Sequence, residues 1–309
     1  MERSIKFDKV TGLLAGLVVV MIWSGWIIIS KWGLSRSLTV WDVTGIRFLT
    51  AAAIVVVYAV FSKTSLKAIF TLPVVICSLC CGGLYVSASL IGLLISDAAN
   101  TGVIINGTMP IMCALILYVW KKDRLIRTQY LGITLILVAN ILLFTSSGGA
   151  SLSALMWLLL AAFFIAFYSV SMNIWQINIK TILLSVPIIN ALFFTPIWVF
   201  LPSHLNIAPI SEIVLQGAYQ GIVVSILALF CMSYCINKLG AVSASAIMAL
   251  VPVTSVLLAI WMLDQTLTLQ MAIAIVICSV GIACYSSLQS LLDWLFSGKE
   301  SESNVIAGK

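Results

Sequence analysis

Arg47 is the first residue of this chain to invite a chemical reading. A guanidinium about nine residues into an apolar run is costly in hydrocarbon and usually faces a partner or a water-filled path. Two roles fit it: holding the carboxylate of a substrate, or a structural tie to Asp42, Asp97 or helix-end carbonyls. Lys31, near the end of the preceding run, either meets a ligand or snorkels to the interface. Asn106 stands about eight residues into a later run, near the depth at which the repeat interface of a transporter holds its ligand. The alternative for Asn106 is a hydrogen bond between helices. Its counterpart in the second half of the chain is Met248, so a polar group would face a soft apolar one. Trp23, Tyr85 and Tyr168 carry a polar edge on an aromatic body and suit the wall of a cavity for an amphiphilic ligand. Lipid packing and interfacial belts explain many membrane aromatics equally well. The candidate substrate-binding set is therefore Trp23, Lys31, Arg47, Tyr85, Asn106, Tyr168 and Met248.

Other chemistry is missing from the pattern. Asp42, Asp97, Glu212 and Asp264 all fall near the ends of apolar runs, with no carboxylate deep inside one. Proteins driven by proton or sodium gradients usually keep an ionisable relay within the membrane, so any passage of a solute is expected to be passive or by exchange, without strong ion coupling. The single histidine, His204, lies in a loop, and no nucleotide-binding Gly-Lys loop, metal cluster or Ser-His-Asp set is visible. No catalytic residue, metal or cofactor is expected. The 8 cysteines all sit inside apolar runs. The Cys77-x-x-Cys80 spacing lacks a charged activator beside it, and these thiols read as small apolar packing groups.

The elements that must position these residues follow from composition. The 309 residues are 62% hydrophobic and 8% charged, with a mean hydropathy of +1.18, against the roughly 25% charged residues of soluble domains. Apolar runs long enough to cross about 30 Å of hydrocarbon fall at 10–32, 38–61, 68–95, 98–119 and 130–144, then at 152–174, 181–201, 213–236, 241–263 and 269–288. Backbone polar groups must be paired inside a bilayer, so runs without strand-like alternation are helices. About ten spanning helices are expected, all-α, with Pro110, Pro187, Pro196 and Pro252 as natural kink points. The first run follows Arg3, Lys6 and Lys9 but is too long for a signal peptide, and it reads as a retained helix. With a cytoplasmic amino terminus, every Lys and Arg except Lys31, Arg36 and Arg47 falls on the cytoplasmic side, so the positive-inside rule places both termini there. The net charge of +6 is explained by this asymmetry and requires no nucleic-acid partner.

An odd number of helices per half means that related halves are inverted across the membrane. The separation between Pro110 and Pro252 also superposes Ala98-Ala99-Asn100-Thr101 on Gly240-Ala241-Val242-Ser243. Trp23-Ser24-Gly25-Trp26 followed by Lys31, the Arg47-Phe48 pair, the two small-residue helix starts with their prolines, and Gly132 with Gly281 together resemble the drug/metabolite transporter superfamily, in its ten-helix EamA-type members. The resemblance spans roughly residues 10 to 288 and implies two inverted five-helix repeats, 10–147 and 152–288, with 289–309 as a cytoplasmic tail. The chain departs from the family pattern after the fourth and ninth helices, where Lys121-Lys122-Asp123 and Leu263-Asp264-Gln265 replace the usual Gly-Glu turn, and Gly132 is matched by Ala274.

The resemblance implies export of a small metabolite, an amino acid or related compound, across a bacterial inner membrane by alternating access, with that small molecule and the lipid bilayer as partners. The rival class is a membrane-embedded enzyme acting on a lipid or polyprenyl substrate. Such an enzyme needs a polar catalytic cluster at one membrane face, and only the segment from Lys121 to Arg127 is rich in polar residues. The expectation is therefore a carrier and not an enzyme.

Overall fold

A computed structural model describes residues 2–122, 127–145, 151–248 and 250–285. The expected tail, 289–309, lies outside the described residues. Among the described residues the regular structure is helical, in ten helices. They are α1 (Glu2–Leu34), α2 (Val40–Phe61), α3 (Leu72–Leu94), α4 (Ala98–Lys121) and α5 (Arg127–Thr145) in the first repeat. The second repeat contains α6 (Leu152–Ile174), α7 (Ile179–Trp198), α8 (Ile210–Ile236), α9 (Val251–Leu263) and α10 (Leu269–Tyr285). Seven of these are long and apolar enough to cross a membrane on their own, and α5, α9 and α10 are shorter apolar helices.

Local chemistry sets several boundaries. Thr39 and Asp42 form a reciprocal capping box that starts α2, and Ser151 and Asn178 cap α6 and α7 through their side-chain oxygens. Helices α4 and α9 both stop at a residue in the left-handed conformation, Lys122 and Asp264. These two are related by the same separation as Pro110 and Pro252, so the repeat is visible in backbone geometry where side chains differ. Pro110 lies inside the continuous α4, whereas Pro252 occupies the first turn of α9, where a missing N–H costs nothing. The run expected at 241–263 is accordingly divided. Helical backbone continues from α8 to Met248, and α9 begins at Val251. Gly16 of α1 lies against both the Cys235 sulfur and Ile247. Twelve residues of straight helix would separate those two by about 18 Å, so the helical path bends between them.

Packing follows an approximate twofold relation between the repeats. α1 lies along α8 and α9, and its counterpart α6 lies along α3 and α4. α2 pairs with α7, α4 with α9, and α5 meets α10. At the last of these crossings a Cβ on Gly132 would sit 2.7 Å from the Gly281 carbonyl oxygen, so only glycine permits the backbones to approach this closely. The largest buried apolar cluster joins α1, α2, α3, α7 and α8, with Ile27, Phe48, Leu90 and Leu93 at its centre. A second joins α4, α5, α9 and α10. Outward faces are apolar as well, as with Leu13, Leu14, Leu17 and Met21 on α1, which is the arrangement expected of a surface meeting lipid instead of water.

Candidate functional site

Both third helices of the repeats lose the α-helical register at the same place. α3 becomes π-helical over Cys80–Leu84, where Gly82 leaves helical backbone angles altogether (φ −98°, ψ −113°), and α8 is π-helical over Gly217–Leu227. Such a break frees backbone groups that cannot remain unpaired in hydrocarbon. Asn190 of α7 supplies the missing partners for α3. Its side-chain oxygen accepts from the Gly83 N–H at 2.6 Å and its Nδ2 donates to the Ser78 carbonyl at 2.8 Å. It fits only because Gly82 has no side chain, since a Cβ there would collide with the Asn190 amide. In α8 the Ser225 hydroxyl donates to the Gln220 carbonyl, five residues back, at 2.7 Å.

The two breaks bring polar side chains inward between α1, α2, α3 and α8. Arg47, about 10 Å along the axis of α2 from its start, donates from Nη1 to Oε1 of Gln220 at 3.3 Å. Gln220 is fully buried and donates in turn to the Ser30 hydroxyl of α1 at 2.8 Å and to Gln216 Oε1 at 3.1 Å. Gln216 donates to the Ile29 carbonyl at 2.8 Å. The amide of Gln220 is thus held from two sides and presents its oxygen to Arg47 in a fixed position. The Nε of Arg47 is buried without an acceptor. Tyr85 and Cys81 of α3 lie within electrostatic reach of the guanidinium, and Tyr168 of α6 lies within such reach of Cys81. Tyr85 also stacks on Trp26 of α1, with ring centroids 6.0 Å apart and 27° between planes. The indole N–H of Trp26 is likewise buried without an acceptor.

Of the expected residues, Arg47 and Tyr85 therefore lie within electrostatic reach of each other, and Tyr168 within such reach of Cys81. Neither Asp42 nor Asp97 appears among the described partners of Arg47. Trp23 packs against the central cluster of α1, α2, α3, α7 and α8. Asn106 donates to the Gly102 carbonyl of its own helix at 2.7 Å. That helical stripe faces α1 and α9, because a Cβ on Gly102 would meet Ile27 and Ser255. Met248 ends the helical run that precedes α9. Lys31 stands apart from the cluster. Its ammonium donates to the carbonyls of Leu93 at 2.8 Å and Ser96 at 2.6 Å, closing the carboxyl end of α3. Trp26, Asn190, Gln216 and Gln220 belong to the polar interior without having been singled out as site residues. The signal that could have found the three amides is the one that marks Arg47, a polar side chain within a long apolar run.

Asp42 has a different task. Its carboxylate accepts five hydrogen bonds, from the Thr39 N–H and hydroxyl, the Trp198 indole, the Ser203 hydroxyl and the His204 N–H. It ties the α1–α2 corner to the loop between α7 and α8. Glu212, bonded to the Ser37 hydroxyl and 3.7 Å from Arg36, adds to the same junction.

Comparison with known proteins agrees with this architecture. The model of the EamA-like transporter family matches the chain twice, over residues 10–145 and 152–287. No curated protein matches it. One solved crystal structure superposes with a TM-score of 0.64 at 17% sequence identity, covering 91% of this chain and 96% of its own, a likeness of fold.

Proposed function

Given that the chain belongs to the EamA-like transporter family, we propose that it is a secondary transporter carrying a small organic metabolite, an amino acid or related compound, out across the bacterial inner membrane by alternating access. The observation that carries this reading is Arg47. It joins α2 of the first repeat to Gln220 of the second, in the interior of the bundle, with a buried donor left unused. A ligand held there touches both halves, which is the position from which rocking of one half against the other could carry it across. In this reading Tyr85 and Tyr168 form the neighbouring wall, Asn106 lies on the face of α4 turned to α1 and α9, and Trp23 and Met248 are further contacts of the ligand. Lys31 holds the end of α3. The charge asymmetry of the loops supports cytoplasmic termini.

Asp42 and Glu212 lie in the first turns of α2 and α8, and Asp97 and Asp264 cap the ends of α4 and α9. That placement supports facilitated or exchange transport over coupling to protons. The test is uptake and counterflow of labelled amino acids and related metabolites in proteoliposomes, with and without an imposed pH gradient. Counterflow without a gradient is the expected result. Flux that requires the gradient defeats the coupling proposal, and absence of flux for the whole panel defeats the carrier. Replacing Asn106 with Leu should reduce flux more than it reduces expression. Wild-type flux in a well-expressed Asn106→Leu protein removes this residue from the path.

A further inference from the structure

The interior cluster carries information about the charge of what it binds. Arg47 has one described hydrogen bond, a long one to a neutral amide oxygen, and its Nε faces no acceptor. Trp26 is 6% exposed, and its indole nitrogen, which can only donate, also lacks an acceptor. Buried donors almost always have partners. Here two orphaned donors flank one aromatic ring, since Tyr85 stacks on Trp26 and lies within electrostatic reach of Arg47. Among the described residues, the other groups facing the guanidinium supply no formal counter-charge, being the Cys81 thiol, the Phe48 ring and the amide of Gln220. Asp42, on the same helix, is engaged by five donors at the α1–α2 corner.

We infer that Arg47 and Trp26 are the two arms of a binding site for the carboxylate of an organic anion whose flat body lies along Tyr85, and that this site prefers a net negative ligand to a zwitterion or a cation. A carboxylate supplies acceptors for both orphaned donors and neutralises the guanidinium at once. An ammonium on the same ligand would meet the Arg47 charge with no carboxylate beside it, so the amino group of an amino acid is a liability in this pocket. Gln220 is a positioning residue, because its amide is fixed by Ser30 and Gln216 and in turn fixes the guanidinium. The inference rests on the carrier reading for how a ligand reaches the interior, and it narrows that reading from amino acids and related compounds to the related compounds that carry a carboxylate and no ammonium.

Three compounds with one ring system separate the charge classes: indole-3-acetate, tryptophan and tryptamine. Thermal unfolding of the purified full chain in detergent is measured with each at equal concentration. Indole-3-acetate should raise the midpoint most and tryptamine least. The Trp26→Phe protein keeps an aromatic ring, though a smaller one, and loses the N–H, and should bind indole-3-acetate about tenfold more weakly. In Arg47→Gln the shift should vanish, and Arg47→Lys should restore part of it. If Arg47→Gln does not fold, Trp26→Phe decides. Equal or greater stabilisation by tryptophan or tryptamine, an undiminished shift in the variants, or no shift with indole-3-acetate each overturns the anion site. Flux of the same compounds in proteoliposomes is a separate readout. Binding of the anion with no flux of it or of any compound in the metabolite panel defeats the carrier and leaves the site, while flux of tryptophan insensitive to Arg47 defeats the site and leaves the carrier.

Discussion

The pseudo-twofold axis relates two corners of the bundle that are closed by different chemistry. At the α1–α2 corner, Asp42 gathers donors from Trp198, Ser203 and His204 and so pins the loop between α7 and α8. At the α6–α7 corner, Ile177 packs with Leu66, Ile69, Val74, Leu184 and Ile188, and the segment between α2 and α3 is held by apolar contact. The acid of the first corner has no counterpart in the second, where Asn178 caps α7 through a local bond to the Lys180 N–H. A buried carboxylate with five donors has one good geometry, and leaving it exposes several polar groups at once. An apolar patch can slide and repack with graded loss. Under the alternating access proposed above, the Asp42 corner is therefore expected to behave as a latch and the Ile69 corner as a bearing.

This contrast can be broken directly. Asp42→Ala should have the largest effect, because it strands the Trp198 indole, the Ser203 hydroxyl and the His204 N–H. A loss of about 3 kcal/mol or more is expected, read as a lower unfolding midpoint in detergent, and proteolysis within the 199–209 loop should become faster. A wild-type midpoint would show that the carboxylate is dispensable and the latch reading wrong. Ile69→Ala should be milder, about 2 kcal/mol, since Ile69 is 1% exposed but its neighbours can close partly over the gap. Its unfolding should stay cooperative, and a greater loss than in Asp42→Ala would invert the comparison. Arg36→Gln removes the partner of Glu212 at the rim of the first corner. With an arginine side chain 57% exposed, the effect should fall below about 1 kcal/mol. A larger change would show that charge at the rim, and not the buried Asp42, holds that corner.

Arg47 was legible in the sequence because a guanidinium within an apolar run is expensive whatever surrounds it. Asp42 was legible only as an acid near a helix end, since the loop that completes its shell arrives some 150 residues later in the chain. Asn190 shows a third situation. An amide among apolar residues is visible, but its purpose depends on the break at Gly82, and a π-helical turn has no hydrophobic period of its own to read. The candidates Tyr85 and Tyr168 could be chosen as aromatics with a polar edge, yet only the fold brings Tyr85 within electrostatic reach of Arg47 and Tyr168 within such reach of Cys81.

Hydropathy and run length by themselves determined that this chain forms membrane helices, and their odd number per half required an inverted repeat. Both follow from the demand that a backbone in lipid satisfy its own hydrogen bonds, which acts locally along the chain. The partners of the polar side chains were decided by the tertiary structure alone. A hydrogen bond between Arg47 and Gln220, or between Asn190 and Gly83, depends on the packing register of two helices far apart in sequence, which no single run of residues encodes.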